Sequence, residues 1–268
     1  MTTILHDHSL RRPVLSRIED ELRSIERSCH VRILFACESG SRGWGFASPD
    51  CDYDVRFIYV HRPDWYLRVR PGRDVIERPV DDALDVSGWE LRKALGLLAR
   101  SNPTLFEWLG SPVVYRQDPG FAERFRTLAS QHFSDTRGCW HYLSMARRNF
   151  RGCLQGDNVR LKTYLYVLRP LLAAQWIASG RGMPPMRFAR LVDELIDDEA
   201  LRDEIIALLF IKLARAESDL GPRFPRIHDY IETALQQLTP PTWPERSGSS
   251  PEALDGLLRD SVLLAESV

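Results

Sequence analysis

No apolar run in this 268-residue chain approaches the roughly 18 residues that a membrane span needs; charge interrupts every long one. Cysteine is scarce as well. There are five (Cys29, Cys37, Cys51, Cys139 and Cys153), an odd number with no C-x-x-C pair. That argues against a disulfide framework or a zinc ribbon and fits a reducing cytoplasm. The opening MTTILHDHSLRR lacks both the apolar stretch and the cleavage pattern of a secretory leader. Excess charge of either sign is missing too: the formal net charge is -1, with a pI near 6.7. No global basic field announces a nucleic-acid partner, so any such contact needs a local patch. What remains is ordinary for a folded domain, 44% apolar and 27% charged residues. The expectation is a globular cytoplasmic protein with no membrane partner.

Apolar positions Val14, Leu15, Ile18, Leu22 and Ile25 recur at a helical period. VRILFAC (31–37) then reads as a buried strand, and the Gly-Ser turn follows at once. YDVRFIYV (53–60) reads as a second strand. YLRVR and DVIERP read as two shorter ones around Pro71 and Gly72, and a further short strand falls near Leu84–Val86. Ser87 with Glu90 three residues on forms a capping box that predicts a helix with the stripe Leu91, Leu95, Leu98. Asn102 and Pro103 start a short helix that Gly110 stops. Beyond 118 the pattern is helical, over roughly 119–130, 135–154, 158–179, 187–214 and 225–238. The expected division is 1–117, an α/β domain; 118–238, a helical domain; and 239–268, a linker with a short final helix.

The chemistry concentrates in ESGSRGWG (38–45) and DCDYDVRF (51–57 with Asp50 before it). Asp52 and Asp54 are two apart on a predicted strand, so both project from one face while Tyr53 and Val55 take the other. Two adjacent carboxylates repel unless a cation joins them. Oxygen ligands of this kind suit magnesium, which keeps water and phosphate in its remaining positions. A third carboxylate on a neighbouring strand would permit a second ion about 3.5–4 Å away. Asp85 is the candidate; Asp81 and Asp82 compete from what reads as a turn. Gly40 would let backbone approach a phosphate, Ser41 offers a hydroxyl and an amide at the start of a short helix, and Arg42 can fork onto phosphate oxygens.

A Gly-Ser turn followed by Asp-x-Asp, with a possible later Asp, resembles the DNA polymerase β-like nucleotidyltransferase superfamily. ESGSRGWGFASPDCDYDVRFIYV, LDVSGWELRKAL and SNPTLFEWLGSPVVY look more closely like its RNA repair pathway DNA polymerase β family. The likeness runs over roughly 34–115 and more weakly through KTYLYVLRPLLAAQWI (162–177). It implies a minimal polymerase β-like palm, a mixed sheet flanked by helices, with a helical domain behind it. It implies metal-dependent transfer of a nucleotide from a nucleoside triphosphate, with two Mg2+ ions on Asp52, Asp54 and Asp85. An RNA or tRNA end is the acceptor that the family's name implies. In superfamily members a lysine of the helical domain often reaches the β and γ phosphates, and Lys162 is the position that matches.

Lys162, Tyr166 and Arg169 share a helix face, and Lys93 and Arg92 lie in the first turns after Asp85; either group could meet phosphate or be a solvated face. RRNFRG (147–152) with Phe150 and Tyr164 is the best local basic strip for RNA. His61 could tune a proton transfer. Cys51 has acidic chain neighbours, which argues against a reactive thiolate. Trp44, Trp89 and Trp108 read as packing, with Trp44 set apart because it follows the turn. Two rivals stand beside RNA: nucleotidylylation of a protein or small molecule, and a non-catalytic nucleotide sensor.

Overall fold

The computed structural model describes residues 12–48, 51–79, 84–156, 158–214, 220–243 and 250–264. Asp81 and Asp82, the rivals of Asp85, lie outside them. In chain order the elements are α1 (Arg12–Cys29), β1 (Val31–Glu38), α2 (Gly40–Trp44), β2 (Tyr53–His61), α3 (Pro63–Tyr66), β3 (Val75–Glu77), β4 (Leu84–Glu90), α4 (Leu91–Ala99), α5 (Pro103–Leu109) and β5 (Val114–Gln117). They continue with α6 (Pro119–His132), α7 (Asp135–Cys153), β6 (Asn158–Arg160), α8 (Lys162–Ala178), α9 (Phe188–Leu195), α10 (Glu199–Ala214), β7 (Leu220–Pro222), α11 (Pro225–Gln237) and α12 (Pro251–Leu264). Two compact units result. One holds the described residues within 9–43, 52–133 and 246–268, the other those within 44–51 and 134–245. The chain thus leaves the first unit after Gly43 and returns to it at Asp52.

The first unit is built on a mixed five-stranded sheet in the order β3-β4-β2-β1-β5. β1 pairs antiparallel with β2 and β5, β4 runs parallel to β2, and β3 closes the edge antiparallel to β4. Period-two alternation decides which side chains are buried where. Tyr53, Val55, Phe57 and Tyr59 of β2 join Leu84 and Val86 of β4 in one apolar cluster, against Ile18, Leu22 and Ile25 of α1. Each of those α1 side chains stabilises the unit by about 1.5–3 kcal/mol on burial. Because the odd residues of β2 enter this core, Asp54 and Arg56 must project from the other face. The second unit is helical around α8, most of whose residues are buried, with α7 packed along it. An α/β sheet unit and a helical unit are the architecture anticipated above.

Two local expectations fail for stated reasons. The helix anticipated from Ser87 starts four residues later, because β4 continues through Ser87 and Glu90, paired to β2 on one side and β3 on the other. Glu90 then caps α4, its carboxylate accepting from the backbone N–H of Arg92 (2.7 Å) and Lys93 (3.3 Å). YLRVR is not a strand: Tyr66 ends α3, and Leu67 and Val69 stand exposed without a partner strand. No helix among the described residues is long and apolar enough to cross a membrane.

His61 closes β2 at the end away from Asp54, stacked on the Trp65 indole with ring centres 4.2 Å apart. Burial first, and the Arg68 charge second, lower its pKa to about 4. The folded ring therefore binds fewer protons than the unfolded one between about pH 6.5 and 4, and stability must fall as pH drops through that window. His61→Phe, which keeps the stack, is expected to flatten this limb in urea unfolding at stepped pH. Identical limbs in both proteins would refute the assignment.

Candidate active site

β1 ends in an unusual residue for a buried strand. Glu38 is fully buried, and one of its carboxylate oxygens accepts from the Asp54 backbone N–H at 3.0 Å while the other accepts from the Tyr115 hydroxyl. Its backbone N–H donates to the Val113 carbonyl, and its carbonyl accepts from Ser111 Oγ at 2.6 Å. Burial pushes its pKa up to about 7, against those hydrogen bonds. Glu38 thus fixes the start of β2 to the end of β1, and the turn between them inherits that rigidity.

The turn follows directly. Gly40 has φ +58, and a Cβ there would lie 2.0 Å from Asp54 Oδ2. Only glycine permits this backbone conformation and this approach together. Ser41 is buried. Arg42 donates from Nε to the Asp52 carbonyl at 3.3 Å and lies over the Tyr53 ring at 3.9 Å. The Gly-Ser turn and the Asp-x-Asp strand therefore meet in space.

Asp54 stands opposite Asp85 in the parallel register of β2 and β4. The two carboxylates share one cation. Arg56 donates from Nη2 to Asp54 Oδ1 at 2.9 Å and to Asp85 Oδ2 at 2.7 Å, and from Nη1 to the Asp85 carbonyl at 2.8 Å. Burial raises the Asp54 pKa; Arg56 opposes this, and the Asp85 and Asp52 charges add to it. Asp52, just before β2, is exposed. Among the described residues no three His, Cys, Asp or Glu side chains stand arranged to hold a metal ion. The pair nevertheless fits a divalent cation on its donor chemistry: hard oxygens on adjacent strands already demand positive charge, which the guanidinium supplies. Arg56→Met is expected to destabilise the fold by about 1–3 kcal/mol in a chelator. Added Mg2+ should restore part of that loss in a thermal melt. No Mg2+ effect on the variant would mean that the pair does not share a metal.

Other anticipated positions sit elsewhere. Lys93 lies beyond the far end of β4 and pairs with Asp74 Oδ1 at 3.0 Å, so it is not brought to the carboxylates. In the helical unit Lys162 opens α8, and Tyr166 one turn on meets Trp44 edge-on at 6.0 Å. Arg169 is buried, over the Trp44 ring at 4.5 Å. Tyr164 is fully buried and, with Phe150, packs around His228, so it offers no surface for a base. Cys51 corrects the sequence reading: Lys212 Nζ lies 3.3 Å from its Sγ and 3.2 Å from Ser48 Oγ, a cation that chain neighbours could not reveal.

Glu38, Arg56 and Lys212 were missed by sequence reasoning. Arg56 had a signal, since it continues the period that puts Asp54 on its face of β2. Glu38 had a fainter one, a charge closing an otherwise apolar strand.

A glycine turn in contact with an acid of a carboxylate pair, on two parallel strands of a mixed sheet, defines a polymerase β-like nucleotidyltransferase palm. The chain belongs to the RNA repair pathway DNA polymerase beta family, whose model matches residues 14–260. It is 49% identical over 222 residues to the uncharacterized protein YcgL of Bacillus subtilis (strain 168), covering 83% of this chain and 85% of that one. A nucleotidyltransferase-like protein from Exiguobacterium sibiricum 255-15 aligns over 93% of this chain and 77% of its own. That match has 13% identity and a TM-score of 0.29, too low to carry fold or function.

Proposed function

We propose that this protein transfers a nucleoside monophosphate from a nucleoside triphosphate to a hydroxyl at an RNA end, releasing pyrophosphate. The observation that carries the reading is the contact of Gly40 with the Asp54 carboxylate, with Asp85 in register beside it. In the reaction the acceptor oxygen bonds to the α-phosphorus as the bond to the bridging oxygen of pyrophosphate breaks. Asp85, the less enclosed member of the pair, takes the acceptor proton. Gly40 and Ser41 offer backbone N–H groups to phosphate, and Arg42 adds a fixed cation nearby. Asp52, Asp54 and Asp85 are the residues that would hold two Mg2+ ions; bound there, the ions would neutralise phosphate charge and acidify the attacking hydroxyl. In the helical unit Lys162 and Tyr166 are the residues proposed to meet the triphosphate. Lys93 is engaged by Asp74, and Lys212 is buried against Ser48 and Cys51. All five cysteines are free, which supports a reducing compartment such as the cytoplasm.

The test is incubation with each α-labelled triphosphate in the presence of total RNA or cell lysate. Label in RNA, dependent on divalent metal, is expected. Label in protein or a small molecule alone would replace the acceptor, and nucleotide binding without any transfer would make the protein a sensor.

A further inference from the structure

At the opposite end of the β1/β2 pair the sheet unit carries a cavity of about 420 Å³ lined by Glu26, Arg27, His30, Val31, Arg32, Val60 and Arg62. The strand ends place it far from the candidate active site. From Asp54 to Arg62 the chain covers roughly 26 Å at about 3.3 Å per residue. Its charge is one-sided. The single acid, Glu26, is committed: one oxygen accepts from the Ile33 N–H at 2.9 Å and the other from Arg116 at 2.7 Å. Arg32 is held by Asp118 at 2.6 Å. Arg27, His30 and Arg62 are exposed and form no ion pair among the described residues. Arg68 extends the patch, being close enough to His61 to oppose its protonation. In a chain of net charge -1, the exposed guanidiniums of Arg27, Arg62 and Arg68 are a local field that favours an anion.

We propose that this cavity binds the phosphodiester backbone of the acceptor nucleic acid, at a distance from the reacting end. The inference rests on the nucleotidyltransferase reading, for which it names a second contact with the acceptor. Two observations favour a strand over a small anion. The cations rim the cavity from its exposed side, whereas small-ligand sites enclose most of their ligand. The separation from the Gly-Ser turn is also more than one compact anion bridges, whereas a nucleic-acid strand presents a phosphate every 3.4 Å or so along a duplex. A lipid surface fits less well: Trp65, the aromatic that could anchor one, is stacked on His61, and Leu67 and Val69 are isolated exposed apolar side chains.

The test measures binding rather than transfer, with Asp54→Asn as the background so that the chemistry cannot influence it. A labelled mixed-sequence RNA of about 20 nucleotides is titrated across a salt series, with and without Arg27→Ala/Arg62→Ala. Losing two phosphate contacts should reduce the slope of log K against log salt by about 1.4 and weaken binding at least tenfold at low salt. Arg27→Lys/Arg62→Lys should largely restore both. The thermal shift given by inorganic triphosphate should not change. Equal slopes and affinities in the alanine and parent proteins would overturn the proposal. So would loss of the triphosphate shift with RNA binding intact, or binding to phosphatidylserine vesicles that depends on Leu67 and Val69 while RNA binding is unaffected. Absence of label transfer by the protein with Asp54 intact, with the slope change present, would instead count against the transferase reading alone.

Discussion

Asp54→Asn is expected to lower nucleotide transfer by about 10³-fold, the upper range for loss of one preorganised electrostatic group, while leaving the fold intact. Asparagine keeps the shape of the side chain and an oxygen for Arg56 Nη2, now 2.9 Å from Asp54 Oδ1. What disappears is the charge that Asp54 shares with Asp85 across the parallel register. Since burial already raises the Asp54 pKa, neutralising this acid relieves a cost in the folded state, and a melt should show unchanged or slightly higher stability. The two readouts therefore move in different directions, as a purely structural role would not allow. The same substitution should abolish the Mg2+-dependent recovery of Arg56→Met. Full transfer by Asp54→Asn would remove this acid from the mechanism.

Much of this was legible because period two is a strong signal. Alternation alone puts Asp54 on the face opposite Tyr53, Val55, Phe57 and Tyr59, whose burial follows the same rule, whereas Asp52 falls just before β2 and outside the strand period. The match of Asp85 to Asp54 was harder. It depends on β4 running parallel to β2 in one register, which no local pattern encodes. The start of α4 was misplaced because Ser87 and Glu90 have capping-box spacing, yet the ladders to β2 and β3 outweigh one cap. Arg56 continues the strand period of Asp54, but only its reach to two acids makes it a counter-charge. Lys212 could not be read at all, since its thiol partner Cys51 is 161 residues away in the chain.

The second large effect is expected at Gly40, where a single methyl group acts on both halves of the site. In Gly40→Ala the new Cβ would fall 2.0 Å from Asp54 Oδ2, so the carboxylate has to rotate away from the turn and from Arg56. The left-handed backbone, φ +58, adds about 1–2 kcal/mol for any residue with a Cβ. The protein should tolerate that strain, because the clash is with a movable side chain rather than backbone. Transfer should nonetheless fall by 10²-fold or more, since a misplacement of about 1 Å near reacting atoms costs that much. Gly45→Ala is the control for strain alone. It also has a positive φ, +92, but its Cβ would meet Arg187 Nη1 at 3.1 Å and no carboxylate. Comparable destabilisation in both variants, with transfer lost only in Gly40→Ala, is the expected pattern. Equal losses of transfer would mean that the turn matters for folding rather than for the placement of Asp54.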